Sequence, residues 1–116
     1  MFEVGQIYRN KVKGYHWLIV YKDETMLYGR VSCISRASML ETALGLSDPN
    51  KPGMEINGIN FQYNGIHNFH YGKDRLYSFG EDITKQFEFI SSISDEQLQQ
   101  FKDALEENGK DSAEEG

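Results

Sequence analysis

The chain has 116 residues, one cysteine and a formal charge of −6, and is 39% hydrophobic and 13% aromatic. That is enough for one domain with one core, too aromatic for a disordered chain, with no internal disulfide to hold it. The acidic balance excludes avid non-specific binding of nucleic acid, and the lack of a long apolar run excludes a membrane-spanning helix.

The charge is unevenly placed. Residues 95–116 hold eight acids and two lysines, which is the whole net charge, while residues 1–94 balance ten against ten. The first 36 residues lean basic, with six Lys/Arg against three acids. A neutral β-rich body with a mildly basic front and an acidic helical tail follows. Met1-Phe2-Glu3 lacks the layout of a secretion signal and Cys33 reads as a buried reduced thiol, so a cytoplasmic protein is expected.

In chain order, Phe2–Tyr8 alternates apolar and polar around Gly5, which predicts a strand with a bend. Asn10–Gly14 is a basic loop. His16–Lys22 is a strand with two faces, Trp17, Ile19 and Tyr21 against Leu18 and Val20. Asp23-Glu24 turns the chain into a second strand, Thr25–Ile34, forming a hairpin. Ser38 and Glu41 have the spacing of a helix capping box, and Met39, Leu40, Ala43 and Leu44 share a helical face, so a short inserted helix is expected up to Gly45. Ser47–Gly53 holds both prolines and reads as a loop.

Asn57-Gly58 and Asn64-Gly65 each predict a tight hairpin turn, and Gly72–Arg75 and Gly80–Asp82 add two further turn signals. Leu76–Phe79 and Thr84–Ile90 are the strands beyond them. Strands every 7–10 residues or so predict a small antiparallel barrel or sandwich. Ser94 and Gln97 form a capping box, with Ile93 stapling against Leu98. Leu98, Phe101 and Leu105 give the final helix its apolar face, and Asn108-Gly109 is expected to stop it. The expected class is therefore α+β, mostly β, with residues 1–109 as a single domain and 110–116 as a disordered acidic tail.

Chemistry-bearing residues are sparse. His67 and His70 lie three apart in a strand and point to opposite faces, so they do not form a metal pair, and neither metal nor cofactor is expected. The run Ile66–Tyr71 reads instead as an aromatic contact strand, with His67, Phe69, Tyr71 and the nearby Arg75 joined by Trp17 as binding candidates. His16, entering its strand from the basic loop, has the pKa for acid–base work but no evident partner. Asp95, Glu96, Asp103, Glu106 and Glu107 supply a carboxylate array that suits a basic partner surface.

Val4–Tyr8, Trp17–Val20, Val31–Ser35 and Ile90–Leu98 together resemble, in short pieces over about half the chain, the MazF/PemK-type endoribonuclease toxins. The resemblance implies an SH3-like barrel, with Ser35 matching the active-site hydroxyl and Arg36 beside it. The family's Arg-Pro pair before the second strand is replaced by His16-Trp17, so it favours the barrel over the nuclease.

Two readings result. The first is a small binding protein without chemistry, whose partner is a protein, a nucleic-acid-binding one in particular. By analogy of size and charge it matches phage- or plasmid-borne inhibitors of host nucleases and defence systems. The alternative is a toxin-like ribonuclease acting on RNA through His16, Ser35 and Arg36. The aromatic-rich sheet is also a candidate homodimer face.

Overall fold

The strand His16–Lys22 sets the plan of the molecule, because neither of its faces meets solvent over most of its length. In the computed structural model, which describes residues 1–32, 39 and 52–115, Trp17 and Ile19 enter one core and Leu18 and Val20 enter another. The predicted split of this strand into two apolar faces holds from Trp17 to Val20, and each face finds its own cover. Tyr21, expected beside Trp17 and Ile19, instead lies exposed outside both cores, because the ladder with the next strand shifts register between Ile19 and Tyr21.

The strands are β1 (Gln6–Asn10), β2 (His16–Lys22), β3 (Met26–Ser32), β4 (Gly53–Ile56), β5 (Ile59–Gly72), β6 (Arg75–Ser78), β7 (Glu81–Asp82) and β8 (Phe87–Ser92). A 3-10 turn, Thr84–Gln86, leads into β8, and helix α1 spans Asp95–Glu115. The strands form one antiparallel sheet in the order β7-β6-β5-β3-β2-β1-β8, with β4 paired to β5. The sheet curls into a half-barrel with α1 on its outer side, so the α+β, mostly β expectation holds.

Three turns place paired residues at positive φ. Asn57-Gly58 joins β4 to β5 as predicted, with φ of 52° and 84°. Lys73-Asp74 and Phe79-Gly80 close the next two hairpins in the same left-handed region. Asn64-Gly65 does not turn the chain; it lies inside β5. The ladder with β3 steps from Arg30↔Ile66 to Ser32↔Phe61, so residues 62–65 bulge out of register. A Cβ on Gly65 would stand 3.0 Å from Val31 Cγ2, and close approach rather than a turn explains this glycine. The predicted inserted helix and most of the loop after it, like Cys33, Ser35 and Arg36, lie outside the described residues.

The concave side holds an aromatic core built on Phe2, Tyr8, Tyr15, Trp17, Phe69 and Phe87. Trp17 meets Phe69 edge-on at 4.9 Å between ring centroids, and Tyr15 meets Phe87 at 6.2 Å in the same manner. Edge-to-face pairs of this kind add about 0.5–1.5 kcal/mol each beyond the area they bury. On the convex side Ile7, Leu18, Val20, Ile56 and Phe61 are covered by Phe101, with Leu105 and Tyr63 at the border. The Phe101 ring lies 6.4 Å from Phe61 and 5.9 Å from Tyr63.

The start of α1 is the predicted capping box. Gln97 N donates to Ser94 Oγ at 3.1 Å, and Ser94 N donates to Gln97 Oε1 at 3.2 Å. Ile93 and Leu98 both lie against Gly5, beneath the first turn. The helix does not stop at Asn108-Gly109 but continues to Glu115. Asn108 turns its amide back onto the Ala104 carbonyl at 2.7 Å, a bond along the helix rather than a cap across its end.

Candidate interaction surface

Antiparallel register decides which side chains share a face. Tyr21 pairs with Tyr28, which pairs with Asn68. One step along, Met26 pairs with His70, His70 with Tyr77 and Tyr77 with Asp82. These two rows cross β2, β3, β5, β6 and β7 on the convex side, beyond the buried cluster that Phe101 covers.

The surface they form is open. Tyr21 is 57% exposed, Asn68 and His70 are exposed, and Met26, Tyr28 and Tyr77 are half-buried. A groove of about 340 Å³ runs between Met26, Asn68, His70 and Tyr77 and ends at the Ser78–Gly80 turn. Phe79, at the tip of that turn, is fully exposed at φ 51°. A bulky aromatic in the left-handed region costs about 1–2 kcal/mol, and here no burial of the ring repays it.

Fixed polar pairs frame the groove. Tyr28 Oη donates to Asp23 Oδ2 at 2.8 Å, which holds its ring beside Tyr21, 5.4 Å away by centroid. Asp23 Oδ1 accepts from the amides of Thr25 and Met26, and these bonds lower its pKa. At the far end Asp82 accepts from the Thr84 hydroxyl and amide and from Arg75 Nη1, which together hold its pKa at about 2. Both carboxylates are thus committed at neutral pH, and the space between them is aromatic and amide in character.

The binding candidates named from sequence fall in different places. Trp17 and Phe69 are buried in the concave core, and Trp17 Nε1 donates to the His67 carbonyl at 2.9 Å. His67 lies at the rim of that core, edge-on to Tyr15 and Phe69, and burial followed by the charge of Lys13 lowers its pKa. Tyr71 spends its hydroxyl on the Asp23 carbonyl and takes Lys22 Nζ over its ring at 5.0 Å. Arg75 is exposed but paired with Asp82 at 2.8 Å. The accessible residues of β5 are those of the other parity, Ile66, Asn68 and His70. Alternation in the sequence separates the two sets but does not say which faces outward.

The acids of α1 are brought together. Asp95, Glu96, Asp103, Glu106 and Glu107 are all exposed, and at about 100° per residue they occupy an arc of about 120° opposite Phe101. Gln99 Nε2 donates to Asp103 Oδ1 at 2.9 Å within that face.

A further row of polar groups crosses the other end of the sheet. Glu88 pairs in register with Arg9, Arg9 with His16, and His16 N donates to Ser32 Oγ at 2.9 Å. Arg9 Nη1 stands 3.8 Å from Glu88 Oε1. Burial, and then the Arg9 charge, push the His16 pKa down, with Glu88 opposing. Among the described residues no group of three or more His, Cys, Asp or Glu side chains could hold a metal ion, and no helix is long and apolar enough to cross a membrane.

No family model, curated protein or solved structure matches this chain.

Proposed function

We propose that this protein is a non-enzymatic binding module that docks a protein partner on the open face of β2, β3, β5 and β6. The observation that carries this reading is the pair of cross-strand rows, Tyr21–Tyr28–Asn68 and Met26–His70–Tyr77, ending at the strained and exposed Phe79. Tyr, Met and aromatic anchors are the residue types that carry interface energy, and strain kept at a hairpin tip is a mark of use rather than stability. The carboxylate face of α1 adds long-range attraction toward a basic partner, which suits occlusion of a nucleic-acid-binding protein by phosphate mimicry. The curl of the sheet supports the SH3-like barrel reading.

The test is capture of partners from the native host by the parent and by Phe79→Asn and Tyr77→Ala variants. A partner retained by the parent and lost by both variants supports the face; equal retention removes it. Reversing Glu106 and Glu107 to Lys should weaken that binding and flatten its salt dependence.

A second reading, a ribonuclease, draws on the Glu88–Arg9–His16–Ser32 row, which places a guanidinium, an imidazole and a hydroxyl at one end of the sheet. It requires cleavage of single-stranded RNA by purified protein, lost on His16→Ala or Arg36→Ala. An assay without products retires it.

A further inference from the structure

Away from the docking face, a second cavity of about 310 Å³ lies between the N-terminal segment and the concave side of β8. Its wall is four aromatic rings, Phe2, Tyr8, Phe87 and Phe89, with the polar side chains of Gln6 and Thr84 and with Met1 at the edge. Phe2 sits at φ 59° with its ring buried, held there because its amide donates to Tyr8 Oη at 2.8 Å.

The polar groups of the wall are almost fully used. Tyr8 Oη donates to Gln6 Oε1 at 2.7 Å, and the Glu3 amide donates to the same oxygen at 2.8 Å. Thr84 Oγ1 accepts from the Leu76 amide and donates to Asp82. With its oxygen taken twice, the Gln6 amide is fixed in orientation, and its Nε2 donates to no other described residue. No Lys, Arg, His, Asp or Glu side chain lines the cavity, and the Met1 ammonium at its edge is paired with Asp74 Oδ1 at 3.9 Å, so a charged guest would lose its hydration with little compensation.

We propose that this cavity binds a small neutral aromatic molecule of two fused rings that presents one carbonyl-type acceptor to Gln6 Nε2. The size follows from volume, since a cavity of about 150 Å³ holds one benzene ring. The rings pack edge-to-face against Phe87 and Phe89, where the aromatic quadrupoles favour that geometry. The raised pKa of Tyr8, caused by burial, keeps its hydroxyl neutral in this wall.

The experiment is calorimetric titration of the full chain with coumarin, naphthalene and naphthalene-2-carboxylate as probes. Coumarin should bind saturably, naphthalene about tenfold more weakly for want of an acceptor, and the carboxylate more weakly still. Phe89 is half exposed, and Phe89→Lys, shown folded by circular dichroism, should abolish coumarin binding. Equal affinities for coumarin and naphthalene would overturn the role of Gln6. No saturable coumarin binding, or undiminished binding in Phe89→Lys, would overturn the site.

Discussion

The Trp17 indole passes over the bare Cα of Gly29 to donate its Nε1–H to the His67 carbonyl on the strand beyond, at 2.9 Å. A Cβ at Gly29 would stand 2.1 Å from that nitrogen and 2.6 Å from the Leu18 carbonyl oxygen. One methyl group would therefore displace the largest side chain of the concave core. Gly29→Ala should destabilise the fold by about 3 kcal/mol, the upper end for overpacking. Trp17→Phe should lose about 1–3 kcal/mol by leaving a part-buried carbonyl without its donor. Urea unfolding midpoints of the two variants check both.

Stability should fall in mild acid because of His67 and His16. Each has a pKa lowered from 6.5, in both cases chiefly by burial. Above 6.5 the side chains are neutral in both states and contribute nothing to the pH dependence. Below it the unfolded chain takes up protons first, so stability declines until the pH passes the folded values, then levels off. Unfolding curves between pH 7.5 and about pH 5 should show this decline, reduced in His67→Gln.

Phe79→Asn should raise stability while weakening partner binding. Asn tolerates the left-handed region, as Asn57 does at 52° in the matching turn, and the exposed Phe79 ring has no packing to lose. A gain of about 0.5–1 kcal/mol is expected from relief of the backbone. Thermal unfolding measures the gain, and the partner-capture assay measures the loss.

Phe101 is the buried anchor of α1, and Phe101→Ala should cost about 3–5 kcal/mol. Because Phe101 covers Phe61 and Tyr63 on β5, amide exchange should rise in β4 and the first residues of β5 as well as in the helix. Exchange confined to the helix would contradict this.

Much of the fold was legible. The alternation of Trp17–Val20, the Asn57-Gly58 turn and the Ser94/Gln97 box each express a local rule in a few residues, and each holds, while the alternation breaks at Tyr21, where the ladder shifts register. Asn64-Gly65 carries the same dipeptide signal as Asn57-Gly58, but at Gly65 the cause is the approach of Val31, a long-range contact with no local mark. The site was less legible for a related reason. His67, Phe69 and Tyr71 share one parity of β5, and which parity is wet depends on where Trp17 and Phe87 stand. Lys73-Asp74 and Phe79-Gly80 show the limit of turn rules, since three of these four left-handed residues are not glycine. The second strand's hairpin partner could be read in advance; the face that it leaves open could not.

With Trp17 and Ile19 on one side and Leu18 and Val20 on the other, β2 behaves as a partition wall shared by two rooms. Sliding it one position would put Trp17 under the helix and Leu18 among the rings, emptying one compartment and jamming the other. The two compartments should therefore melt together, as a single calorimetric transition, despite lying on opposite sides of the sheet.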